Sequence, residues 1–239
     1  MIRQRLFWHN HSTMSSGQCP RKFWVAVVSL CLFYVSMALA QSPTAAVSFT
    51  FDFPGSEPNH YAITVDSGGH TTYNSTGRFN DNADPSDQFK LDLTISPSTS
   101  ARIFDLAKRT NYFHGQVDSK KKNLASTGTK ILAYKDAGKS TSATYNYSPN
   151  PAIQELTALF QNLSTTLEFG RRIEFYRRYQ KLALDDELKR MESMSKENSL
   201  EELSALAPIL QQIAADSTII NPVRARAQRL LERSQASSK

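Results

Sequence analysis

The chain has 239 residues, with 28 Lys or Arg against 22 Asp or Glu, a formal charge of +6, and two cysteines. Four of the basic residues, Arg3, Arg5, Arg21 and Lys22, stand at the front with no acid among them, and without them the charge falls to about +2. That balance argues against nucleic-acid binding, which shows a persistent basic face on the working domain; and because Cys19 and Cys31 both lie within the first 40 residues, no disulfide or thiolate chemistry is expected after them.

Phe23 to Ala40 is an uncharged run of 18 residues that follows those bases and ends Ala38-Leu39-Ala40 before Gln41. This is the charged and apolar succession of a secretory signal peptide with small residues at the cleavage site. Cleavage after Ala40 is expected, giving a periplasmic or extracellular protein. The alternative is an uncleaved anchor over residues 23–40, at the short end of what crosses a hydrocarbon core roughly 30 Å thick. Cys31 follows Leu30 inside the apolar run, which does not fit lipidation, and a start at Met14 instead of Met1 would give the leader more usual proportions. No second long apolar run follows, so no membrane span is expected in the mature chain.

Residues 41–170 read as a small α+β domain. Val47, Phe49, Phe51 and Phe53 alternate with polar residues, as do Tyr61, Ile63 and Val65, and then Phe89, Leu91, Leu93 and Ile95. Period two with one polar face predicts half-buried strands of an antiparallel sheet. Asp66-Ser67-Gly68-Gly69 predicts the turn of a hairpin from Tyr61 to Asn74. Ser96-Pro97 predicts a helix start, with Ile103, Leu106, Ala107 and Thr110 on its inner face. After a loop from His114 to Gly128, Thr129–Lys135 and Thr141–Tyr147 predict a second hairpin. Asn150-Pro151 opens a helix whose Ile153, Leu156, Phe160, Leu163 and Leu167 form a core-facing stripe, with a bend expected at Gly170.

Residues 171–239 predict a helical hairpin or three-helix array. Glu168–Arg172, Glu174–Arg178, Asp185–Lys189 and Asp186–Arg190 place an acid four residues before a base, the favourable order for surface pairs along a helix. Ser199-Leu-Glu-Glu202 matches a capping box, Pro208 should kink or divide the helix that follows, and Asn221-Pro222 opens the last one.

The succession of strands around Asp66-Ser-Gly-Gly-His-Thr-Thr-Tyr73, a Pro-capped helix, two more strands and a helical end resembles uncharacterised exported bacterial domains of unknown function. Leu206-Ala-Pro-Ile-Leu-Gln211 and Arg224-Ala-Arg-Ala-Gln-Arg-Leu230 look like the helical end of such proteins. The resemblance implies a bacterial envelope setting and carries no activity. Asn74-Ser-Thr76 and Asn162-Leu-Ser164 match the glycosylation pattern, which matters only in a eukaryotic source.

Few constellations carry chemistry. His60, His70 and His114 are the only histidines after the leader. His60 and His70 flank the predicted hairpin with Asp66 at its turn, so a two-histidine, one-carboxylate metal site is one reading and ordinary polar turn residues the other. Asp81, Asp84 and Asp87 could offer oxygen ligands to calcium, although without the spacing of an EF-hand, and a solvated, turn-rich loop with Asx-turns and the Asp84-Pro85 break is the leading reading of the same residues. No GxSxG, Walker loop, HExxH or dinucleotide fingerprint occurs. In Phe169–Tyr179, Arg171, Arg172, Arg177 and Arg178 interleave with Phe175, Tyr176 and Tyr179, a pattern that could grip an anionic surface or an envelope protein partner, or simply pack a helix onto the sheet domain. The leading expectation is a non-enzymatic exported binding or interaction module without a cofactor, and the rival is a metal-dependent envelope hydrolase using His60, His70 and Asp66.

Overall fold

A computed structural model describes residues 44–79, 83, 84 and 86–236, which lie in one compact unit; the signal peptide expected over residues 1–40 and Asp81 fall outside them. Six strands, β1 (Ala46–Asp52), β2 (His60–Asp66), β3 (His70–Thr76), β4 (Gln88–Thr94), β5 (Thr129–Lys135) and β6 (Ser140–Tyr145), form one sheet in the order β4-β3-β2-β1-β5-β6. Every neighbouring pair is antiparallel. The period-two stripes explain the sheet. Val47, Phe49 and Phe51, then Tyr61, Ile63 and Val65, all point to the same buried face, while the residues between them are partly or fully exposed. Phe53 lies one residue beyond β1 and is not part of the buried stripe.

Two helices cover that face. α1 (Pro97–Arg109) starts where Ser96 accepts the backbone N–H of Thr99, and α2 (Pro151–Tyr179) starts where Asn150 accepts that of Ala152. Both begin with proline, whose missing N–H costs nothing in a first turn. Ile103, Leu106 and Ala107 of α1 and Ile153, Leu156, Phe160, Leu163 and Leu167 of α2 close a core with the inner sheet face, in which Phe49 and Phe160 stack at 5.3 Å. Burying each such side chain contributes on the order of 1.5–3 kcal/mol.

Three further helices, α3 (Lys181–Lys196), α4 (Ala207–Ala215) and α5 (Asn221–Ala236), form the C-terminal region. Their second core gathers Leu184, Leu188, Met191, Leu210, Ile213, Val223, Ala227 and Leu230 around Phe169 and Ile173 of α2. One continuous helix therefore serves both cores, the first as far as Leu167 and the second from Phe169. Gly170 makes no break in α2. A Cβ there would stand 2.6 Å from Leu206 Cδ2, so this glycine is a notch that admits a neighbouring side chain. Gly128 is required for two reasons: its φ is +89°, and a Cβ would meet the Phe51 ring at 2.7 Å.

The region before α4 departs from expectation. Ser199 caps no helix; Glu202 takes a left-handed φ of 54° ahead of a short 3-10 turn, Leu203–Leu206, and Pro208 stands in the first turn of α4. The carboxylates have found partners across the fold instead: Ser96 Oγ donates to Glu202 at 2.6 Å and Thr99 Oγ1 to Glu201 at 3.3 Å. Two of the four surface pairs are also re-partnered. Glu174–Arg178 and Asp185–Lys189 form, but Arg172 pairs with Glu187 and Asp186 with Lys189.

Candidate functional site

Strand register separates the proposed metal ligands. His60 pairs with Thr76 at the open end of the β2–β3 hairpin, and His70 begins β3 at its turn. Along six residues of strand this is roughly 20 Å. His60 lies 4.0 Å from Asp52 on β1, and Asp66 Oδ1 accepts the N–H groups of Gly68 and His70 at 2.9 Å each. Asp66 thus builds the turn, as an Asx side chain does. Asp84 does the same for its loop, accepting from Ser86 N at 2.8 Å and Ser86 Oγ at 2.6 Å, while the Asp87 backbone carbonyl accepts from Gly77. Among the described residues no three His, Cys, Asp or Glu stand close enough to share a metal ion. The three-residue site is corrected: the hairpin holds Asp66 and His70 in one turn and places His60 at its far end.

The basic aromatic segment divides. Arg171 lies between the rings of Phe79 and Phe89, at 4.4 and 5.1 Å, with Glu168 3.8 Å away. Arg172 is tied to Glu187 of α3 at 2.5 Å and stacks over Phe169. These two arginines hold the fold together. Phe175 packs edge-on against Phe79, and Tyr176 and Tyr179 pack against Phe175. Arg177 and Arg178 share Glu174, and only Tyr179 of the aromatic residues is largely exposed.

Beneath them lies a buried polar cluster that the sequence reading missed. Glu168, 3% exposed, accepts from Tyr73 Oη at 2.8 Å and Ser75 Oγ at 2.6 Å through one carboxylate oxygen. The Tyr73 proton is therefore committed, so Ser164 Oγ, 3.0 Å from Tyr73 Oη, is the donor in that contact. Burial, and the Glu168 charge after it, hold the Tyr73 phenol well above its ordinary range, and burial does the same to Tyr61. The signal was available: Tyr73 and Ser75 occupy inward positions of β3 by period two, and two buried hydroxyls require an acceptor.

A second buried charge is Lys130, whose ammonium meets the carbonyls of Thr127, Gly128 and Asn146 and the Thr127 hydroxyl at 2.9–3.2 Å. Desolvation lowers its pKa, and the carbonyl cage fixes the loop that leads into β5.

A cavity of about 440 Å³ lies between the start of α1, α2 and the segment before α4. Its charged groups are engaged: Arg102 holds Glu155 at 2.9 Å, and Glu201 and Glu202 hold Thr99 and Ser96. Burial raises the Glu201 carboxyl above its usual range. This cavity is a joint between the sheet region and the helices.

The most exposed large apolar side chains among the described residues stand in the helical region. Tyr179, Leu182 and Ile220 are 70%, 94% and 65% exposed. Tyr179 ends α2, Leu182 lies in the first turn of α3 and Ile220 stands in the α4–α5 connection, which Lys181 ties to the α2–α3 junction by donating to Thr218 Oγ1 at 2.5 Å. Charges of both signs surround them: Arg178 with Glu174, Lys181 beside Asp216, and Arg224 bonded to the Ala214 carbonyl.

No family model matches this chain, and no curated protein matches it. Among the described residues no helix is long and apolar enough to cross a membrane.

Proposed function

We propose that the protein is an exported, non-enzymatic binding module of the bacterial envelope, and that it meets a protein partner through Tyr179, Leu182 and Ile220. The observation that carries this reading is the exposure of three large apolar side chains at the α2–α3 junction and the α4–α5 connection, which a hydrogen bond joins. Apolar anchors with a polar rim are the make-up of protein interfaces. The mixed charge around them favours a protein over a uniformly anionic surface, which a one-sided basic patch would suit better. Arg171 and Arg172, expected to belong to the contact surface, are consumed within the fold, so the surface moves outward from them along the helical end.

The test is cross-linked recovery of the full-length protein from its own envelope, compared with a Leu182→Glu, Ile220→Glu variant. Both side chains are solvent-facing, so the thermal midpoint should hold within about 2 °C, because surface changes away from structural features stay within about 0.5 kcal/mol. A partner present with the native chain and reduced at least tenfold with the variant supports the reading. Equal recovery with both chains overturns it.

A further inference from the structure

The geometry points to a second binding site: a pocket of about 210 Å³ between the β1–β2 loop, α2 and α3, suited to a small zwitterion of amino-acid size. Phe51, Pro58 and Tyr61 form its apolar wall, and Gln161, Ser164, Thr165 and Glu168 line it from one face of α2. That volume falls below the roughly 300–1,000 Å³ of sites for drug-sized ligands, which limits the occupant to a small molecule.

Most of the polar lining is already committed. Glu168 serves Tyr73 and Ser75, Ser164 serves Tyr73, Thr165 donates to the Gln161 carbonyl, and Arg172 is held by Glu187. Ser56 donates to the Phe53 and Pro58 carbonyls. Tyr61 turns its hydroxyl toward Ser164, and three further lining groups remain. The Gln161 carboxamide, the Glu57 carboxylate and the Arg190 guanidinium make no hydrogen bond to another described residue, and Arg190 only lies over the Phe169 ring at 5.6 Å. These are one amide, one anion and one cation around a cavity with an aromatic wall.

A ligand matching all three carries a carboxylate for Arg190, an ammonium for Glu57 and a hydrogen-bonding group for Gln161. A free α-amino acid has the first two on one carbon, and its side chain can lie along Phe51 and Tyr61. Guanidinium favours carboxylate because two parallel N–H groups match its two oxygens. Glu57 and Arg190 are exposed, so water satisfies both in the free protein; a zwitterion replaces that water on both at once, whereas an uncharged solute offers neither of them a counter-charge and a simple anion leaves Glu57 opposing it. The site is distinct from the apolar end of the helices and does not depend on that surface being an interface.

Titration calorimetry of the full-length protein against the twenty free amino acids, singly, tests this. At least one should bind, and Arg190→Gln and Glu57→Gln should each weaken it at least tenfold while leaving the thermal midpoint unchanged. The N-acetyl form of the same amino acid, which keeps the carboxylate and loses the ammonium, should bind at least tenfold more weakly. Absence of binding by all twenty overturns the proposal. So does binding that survives Arg190→Gln, or equal binding of the N-acetyl form.

Discussion

Glu168 is the residue on which most of the buried polar structure depends. It accepts hydrogen bonds from Tyr73 and Ser75 on β3 and faces Arg171 one turn along α2. Replacing it by Ala strands two buried hydroxyls and an arginine enclosed by Phe79 and Phe89. Removing one partner of a buried charged group costs about 3–5 kcal/mol, so Glu168→Ala should lower stability by that amount in urea denaturation. Glu168→Gln keeps an acceptor for the hydroxyls and should lose less. The helical spacing of α2 made its apolar stripe readable, but a glutamate beside Leu167 also fits a solvated flank. Only β3 passing under the helix turns it inward. Gly170 carries the same lesson, since a glycine within a helix reads as a bend until Leu206 is seen occupying the space beside it.

Between elements, the strongest tie in the helical region is Glu192 of α3, which accepts from Arg226 at 2.6 Å and Arg229 at 2.7 Å of α5. Its bond from Arg229, followed by that from Arg226, holds its carboxyl down at about 2. A carboxylate held below its unfolded value contributes stability that is complete above the unfolded pKa, near 4.5, and is lost as pH falls from there toward about 2. The native protein should therefore lose more thermal stability between pH 5 and pH 2.5 than Glu192→Gln does, as measured by melting followed by circular dichroism. At pH 7 the variant should be the less stable of the two, and the gap should narrow with acid. The sequence predicted a long solvated helix continuing past Gly170, with Asp185 and Asp186 finding bases four residues on, and a last helix opened by Asn221-Pro222. Spacing within one helix cannot reveal that Arg226 and Arg229 arrive from another, which is why Glu192 went unnoticed.

Across the whole molecule, α2 joins the two apolar cores as one rigid element, with Leu167 in the first and Phe169 in the second. The described residues lie in one compact unit, so the sheet and the helices should unfold together. Leu106→Ala in the first core and Leu188→Ala in the second should each lower stability by about 2–5 kcal/mol, as buried leucine truncations do. Each should shift a single urea transition in which circular dichroism and tyrosine fluorescence coincide; two separated transitions in either variant would show the cores to be independent. By itself the sequence determined the elements: strands from period-two alternation, helix starts from Ser96-Pro97, Asn150-Pro151 and Asn221-Pro222, and the α+β class from their succession. Those features are local, set by backbone preference and by which side of an element is apolar. The tertiary structure decided the partners. Register put His60 and His70 at opposite ends of a hairpin, packing drew Arg171 and Arg172 into the fold, and the joining of the α2–α3 junction to the α4–α5 connection by Lys181 and Thr218 left Tyr179, Leu182 and Ile220 exposed. A side chain's neighbours come from chain segments far away in sequence, and no local pattern encodes which of them will arrive.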